Sequence, residues 1–346
     1  MSPGRASLTG VTTVTGMGSW PGTDVRETLR LVRDTLTLEE DLEGLPYLPE
    51  LPDRGPGADL VGRGLGLLVD LPVDLQPSGW RLTDRPGRDL GRSQAFLRED
   101  LDELAEAYDG WTGRLKLQVA GPWTLAAGTW LPRGERAVSD EGATRDLVAS
   151  LAEGIRRHLE TVRRLVPDAE LVLQVDEPSL PAVLDGRLPT ASGYGLVRSV
   201  DPQVALSALQ TVLAAAPKGS TPVLHCCATD APIVLLRRTG ADLAVDTAQL
   251  GPRGWEGVAV AVEDGRTLYA GCVPTAGGRP VREFRATGLA ATVADPWSEL
   301  GLPAALLADV VVTPACGLAG LTPTQARSVQ QVCLDTAHEL ADRAAT

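Results

Sequence analysis

The feature that most constrains this chain is its repeated switch between short apolar runs and amphipathic stretches. Seven runs read as strands: Thr13–Gly18, Leu115–Ala120, Glu170–Val175, Thr221–Cys226, Asp242–Thr247, Thr267–Cys272 and Asp309–Thr313. Each is short and mostly apolar, as a strand buried on both faces must be. Helical patterns lie between them at Asp24–Leu36, Arg92–Ala107, Glu141–Val166, Pro202–Ala215, Ala231–Thr239, Val281–Ala294 and Thr322–Ala345. The run Thr322-Pro323-Thr324-Gln325 has the form of a capped helix start with proline in the first turn. Alternating strands and helices predict a parallel sheet. An eighth strand is expected between Leu45 and Trp80, with Gly64–Val69 the best candidate.

An open doubly wound sheet and a closed barrel both satisfy this alternation. The closed (β/α)8 TIM barrel is preferred because polar residues stand at the ends of several separate strands. A barrel gathers those ends around one mouth, at its C-terminal face. The 346 residues contain no repeat and no Ser/Gly linker, so residues 1–346 are read as one α/β domain. Aromatic residues make up only 4% of the chain, so its core must be built from Leu, Val and Ala.

Charge excludes some partners. The net charge is −13 with no Lys/Arg run, a field that repels nucleic-acid phosphates and anionic membrane surfaces. Met1–Gly10 has no apolar core of a signal peptide, and no apolar run reaches transmembrane length. The five cysteines are odd in number and two are adjacent, which suits free thiols in a reducing cytoplasm better than a disulfide framework.

The strongest chemical signal is His225-Cys226-Cys227 at the end of a strand. Side chains alternate along a strand, so His225 and Cys227 point one way and Cys226 the other. Imidazole and thiolate are ligands that zinc prefers; two small buried cysteines beside a packed histidine are the alternative. Cys316, in Thr313-Pro314-Ala315-Cys316-Gly317-Leu318, and Asp246, closing Ala244-Val245-Asp246-Thr247, fall at the same mouth. Asp246 could instead cap the segment that follows it, and Cys316 could be packing. Leu173-Gln174-Val175-Asp176-Glu177-Pro178 places two consecutive carboxylates at a strand end, suited to a substrate ammonium, a proton transfer, a helix cap or a rim salt bridge. Gly121-Pro122-Trp123-Thr124 shapes a tight turn, and the glycines of Thr15-Gly16-Met17-Gly18-Ser19-Trp20-Pro21 expose backbone N–H groups able to hold a carboxylate. Cys272 ends an inner strand, where packing is the simpler reading; His158, His338 and Cys333 sit on helical patterns and read as structural or surface residues.

Five of these pieces, in this order, resemble the catalytic barrel of cobalamin-independent methionine synthase, in the superfamily that includes uroporphyrinogen decarboxylase. They are Gly18-Ser19-Trp20-Pro21, Gly121-Pro122-Trp123-Thr124, Gln174-Val175-Asp176-Glu177-Pro178, His225-Cys226-Cys227 and Pro314-Ala315-Cys316-Gly317. The resemblance runs from about Thr13 to the C-terminus. It implies zinc held by His225, Cys227 and Cys316, with Asp246 at the position of the family's glutamate ligand, one methylene shorter. Ser19 and Asp176 match positions that hold the amino-acid end of homocysteine, and Glu50, in Pro49-Glu50-Leu51-Pro52, aligns as a second ammonium partner. Asp176 is expected to stay clear of the metal, because its strand reads as standing away from the His-x-Cys strand. The family's seventh-strand histidine, a suspected proton donor, has no match in Tyr269-Ala270-Gly271-Cys272-Val273. The folate-assisting N-terminal half of the full-length synthases is not matched either.

The function these residues imply is zinc-dependent methyl transfer to the thiol of homocysteine, with a methyl-corrinoid, free or on a partner protein, expected as donor in place of folate polyglutamate. A related zinc-dependent alkyltransferase acting on another thiol, and a barrel whose zinc is structural or regulatory without catalysis, are the competing readings. A metal-free decarboxylase fits poorly, because no basic cradle for several carboxylates is present.

Overall fold

The computed structural model describes residues 11–37, 42–275 and 283–346. The chain opens with β1 (Thr13–Val14), α1 (Val25–Leu36), β2 (Glu43–Gly44) and α2 (Leu60–Gly66). A two-stranded antiparallel hairpin follows, β3 (Val73–Gln76) and β4 (Gly79–Leu82), then α3 (Arg88–Ala107). The middle of the chain supplies β5 (Arg114–Ala120), α4 (Pro122–Gly128), α5 (Glu141–Leu165), β6 (Glu170–Asp176), α6 (Leu180–Leu184) and α7 (Pro202–Leu213). It continues through β7 (Thr221–Cys226), α8 (Ile233–Arg237), β8 (Asp242–Asp246) and α9 (Pro252–Glu263). The last elements are β9 (Leu268–Val273), α10 (Ala286–Glu299), β10 (Val311–Pro314) and α11 (Pro323–Ala344).

Eight strands form one parallel sheet in the order β2-β1-β10-β9-β8-β7-β6-β5. The sheet curls back on itself. Beyond β2, Tyr47 bridges Lys116 of β5 in parallel, with Leu48 N donating to Lys116 O at 3.1 Å and Lys116 N to Pro46 O at 2.9 Å. These bonds join the two edge strands, and the fold is an α/β TIM barrel.

Local chemistry sets the helix starts. Asp24 Oδ1 accepts from Glu27 N at 2.9 Å to cap α1, which buries Leu29, Val32 and Leu36. Thr322 and Gln325 complete a reciprocal capping box on α11, with Pro323 in its first turn. The expected strand at Gly64–Val69 is instead the end of α2 and the turn after it. The eighth strand is Glu43–Gly44, whose two residues are too few to carry a periodic signal. Helix α9 fills a gap that the pattern left empty, and the helix expected at Val281–Ala294 runs Ala286–Glu299; residues 281 and 282 lie outside the described residues.

Two packed layers result. Met17, Leu45, Val172, Val223, Ala244, Tyr269 and Val311 form an apolar cluster inside the barrel. A much larger cluster of Leu, Val and Ala fills the space between the strands and the helices. No described helix is long and apolar enough to cross a membrane.

Candidate metal and substrate site at the barrel mouth

The inner cluster sets the direction of three site residues. Val172, Val223 and Ala244 point into the barrel, so Asp176, His225 and Asp246, each an even number of residues further along the same strands, point inward too. Cys226 is fully buried in the outer layer, against the helices.

Asp176 and His225 are register partners on the adjacent strands β6 and β7, and Asp176 Oδ1 lies 2.8 Å from His225 Nδ1. This corrects the expectation that Asp176 stands away from the His-x-Cys strand: β6 and β7 are hydrogen-bonded neighbours in the sheet. Gln174 Nε2 donates to the same Oδ1 at 2.7 Å and to Met17 O at 2.8 Å. A carboxylate can only accept, so the proton between Asp176 and His225 belongs on Nδ1. His225 Nε2 then carries a lone pair, and it is buried with no hydrogen-bond partner among the described residues. An imidazole held by a carboxylate on one nitrogen and free on the other is the arrangement in which histidine ligates a metal.

The residue just after β7 and the loop after β10 meet at the same mouth, where Cys227 Sγ and Cys316 Sγ are 3.3 Å apart. The hydrogen bond from Cys227 holds the Cys316 thiol below its ordinary range, while the same bond and burial hold the Cys227 thiol up. Asp246 is half-buried, which raises its carboxyl, and its Oδ1 accepts from Ala248 N at 3.0 Å to cap the short turn Thr247–Gln249. Among the described residues no three His, Cys, Asp or Glu side chains are gathered closely enough to hold a metal ion. The donor types nevertheless suit zinc: two sulfurs in contact, an oriented imidazole with an orphaned lone pair, and a half-buried carboxylate at the end of the neighbouring strand. Cys272 is buried at the end of β9, and burial pushes its thiol up to about 12.

Ser19 and Glu50 are brought side by side on the opposite wall. They form a parallel bridge, with Trp20 N donating to Glu50 O at 2.8 Å and Glu50 N to Gly18 O at 3.1 Å. Ser19 O accepts from Leu318 N at 2.9 Å, which ties this wall to the Cys316 loop. Glycine at 317 leaves the Ser19 hydroxyl its place, since a Cβ there would meet Ser19 Oγ at 2.0 Å. Glu50 is buried, and burial, with the field of Asp176, pushes its carboxyl up to about 7 against the opposing pull of Arg63, whose Nε is 3.6 Å away. Arg63 is also paired with Asp100, which in turn holds Arg54 at 2.7 Å.

The second carboxylate of the Asp-Glu pair does different work. Glu177 faces away from the mouth and accepts from Trp123 N at 2.9 Å, Thr124 N at 2.8 Å and Thr124 Oγ1 at 2.7 Å, capping α4. Sequence reasoning missed Lys116, Gln118 and Arg63. The first two had a legible signal, because Arg114, Lys116 and Gln118 alternate with leucines along β5 and so share its inner face. His158 is buried on α5, Cys333 is buried on α11, and His338 is exposed on α11.

No family model matches the chain, and no curated protein matches it in sequence. Solved structures do match in shape. The B12-independent methionine synthase from Shewanella sp. W3-18-1, solved in complex with selenomethionine, superposes with a TM-score of 0.58 at 11% identity, over 94% of this chain and 96% of that one. A methyltransferase from Methanosarcina mazei gives 0.57 at 16% identity, over 95% and 93% of the two chains. At such identities the likeness is one of fold: this chain is a single barrel built on the same plan as those methyltransferases, nearly end to end.

Proposed function

We propose that this barrel is a zinc-dependent methyltransferase that moves a methyl group to the thiol of homocysteine, forming methionine. The observation that carries the reading is the orphaned Nε2 of His225, oriented by Asp176, at the mouth where Cys227 and Cys316 touch. His225, Cys227, Cys316 and Asp246 would hold the metal. Zinc supplies there a Lewis acid that keeps a bound thiol as its nucleophilic thiolate at neutral pH. Asp246, whose Oδ1 also caps the Thr247–Gln249 turn, would be the most weakly committed of the four.

The chain's own residues bind and orient. Glu50 and the free oxygen of Asp176 receive the substrate ammonium, and Ser19 with its neighbouring backbone receives the carboxylate. The thiolate sulfur forms the new S–C bond as the methyl group leaves its donor. A methyl-corrinoid, free or on a partner protein, suits this site as donor: its cobalt keeps the electron pair, so the leaving group needs no proton. Tyr269, Ala270 and Gly271 offer no histidine to give one, and a net charge of −13 opposes a polyglutamate tail.

Metal analysis of the purified protein and steady-state assays with homocysteine test the reading. The expected result is about one zinc per chain and methionine formed from methylcobalamin. Zinc without thiol binding favours a structural ion; turnover with methyltetrahydrofolate triglutamate and none with methylcobalamin rejects the corrinoid donor.

A further inference from the structure

Gln118 holds a buried acceptor that the site as described leaves without a use. It stands on the inner face of β5, in register with Gln174 of β6, and only 5% of it is exposed. Its side chain reaches Gly18, where a Cβ would meet Gln118 Cγ at 2.6 Å and Cδ at 2.7 Å. Gly18 is followed by Ser19, which bridges Glu50, so the Gln118 amide lies on the wall assigned to the amino-acid end of the substrate.

Its neighbours fix which way the amide faces. Leu48 O can only accept, so the atom 2.5 Å from it is Nε2. Glu50 also takes a hydrogen bond from this side chain, and an ionised carboxylate again only accepts. Both demands fall on the nitrogen. Gln118 Oε1 is left buried with no hydrogen-bond partner among the described residues, a costly state for an acceptor unless a ligand donates to it. Lys116, two residues earlier on the same face, is committed elsewhere: its Nζ donates to Gln174 Oε1 at 2.7 Å.

The surroundings select the donor. The fields of Glu50 and Asp176 meet here, which favours a cation. An ammonium has three N–H groups and no acceptor; the two carboxylates and Gln118 Oε1 offer it three acceptors. We propose that Gln118 is the third acceptor for the substrate's ammonium, and that the site thereby selects thiols carrying an unsubstituted amine. This rests on the amino-acid reading of the site and is independent of the methyl donor.

The test is equilibrium binding to the full chain as purified, by calorimetry, with two thiols. One is homocysteine; the other is 4-mercaptobutanoate, with the same thiol and carboxylate and no amine. Gln118→Met keeps the volume and removes both amide atoms. It should weaken homocysteine binding about ten-fold and that of 4-mercaptobutanoate about two-fold at most. Equal losses for the two thiols would mean that Gln118 only shapes the wall, its oxygen served by water in the cavity it shares with Glu50, Arg63 and His158; that outcome overturns the proposal. If Gln118→Met does not fold, wild type decides with N-methylhomocysteine. Two N–H groups for three acceptors should cost that ligand about ten-fold against homocysteine, and equal binding overturns the proposal. Should wild type show no preference for homocysteine over 4-mercaptobutanoate, the amino-acid reading itself fails; a preference that Gln118→Met leaves intact sinks this inference alone.

Discussion

Asp176 and His225 face each other at one level of adjacent strands, with Oδ1 of the first 2.8 Å from Nδ1 of the second. On the proposed zinc reading, Asp176 acts on the metal through His225 without being a ligand itself. Asp176→Asn replaces an obligatory acceptor with an amide that can donate to Nδ1, favouring the wrong tautomer. Zinc affinity should fall 10- to 100-fold, the usual cost of losing a ligand's orienting partner, measured by competition with a chelating dye. Unchanged affinity would show that His225 keeps its orientation unaided.

The neighbouring carboxylate should behave in the opposite way. Glu177→Gln puts an amide nitrogen or leaves one weaker acceptor against three donors on α4. The expected loss is about 1–3 kcal/mol of folding stability in urea titrations, with zinc affinity within two-fold of wild type. A metal defect equal to that of Asp176→Asn would mean that the two carboxylates do not divide these roles.

Cys227→Ser should lose most of the metal, because it removes one of the paired sulfurs. Cys226→Ser should retain it, since Cys226 lies in the outer layer, and should instead cost about 1–3 kcal/mol for a hydroxyl placed in an apolar contact. Metal content and urea midpoints of the two variants separate the effects.

Gly317→Ala should act on substrate through Ser19. The new methyl group displaces only the tip of a small side chain, so the fold survives while the Ser19 hydroxyl is pushed aside. The KM for homocysteine should rise about ten-fold, or about 1.4 kcal/mol, with zinc unchanged. The same substitution made on a Ser19→Ala background should add little; full additivity would place the effect elsewhere.

His158 should make stability depend on pH. Burial, with the field of Arg63, lowers its imidazole to about 4. Between that value and the ordinary 6.5 the unfolded chain takes up a proton that the folded chain refuses, so this contribution is complete above 6.5 and is lost as pH falls toward 4. The full loss is about 3 kcal/mol. Urea titrations across that window should be flatter for His158→Leu than for wild type; equal slopes would show that His158 does not titrate on unfolding.

What the sequence determined by itself was whatever depends on neighbours along the chain. The long runs at β5 to β9, the helical pattern of α1 and the capped start of α11 were legible because period and capping are local. So was the division of His225 from Cys226, which follows from alternation alone. Tertiary structure decided the rest. Strand β2 exists because Glu43 and Gly44 find β1 on one side and Tyr47 finds Lys116 on the other; two residues carry no pattern of their own, and glycine-rich Leu60–Gly66 coiled into a helix instead. The pairing of Asp176 with His225, of Ser19 with Glu50 and of Cys227 with Cys316 spans 49, 31 and 89 residues. Such contacts are set by the order in which strands close the barrel, and that order is a property of the whole sheet.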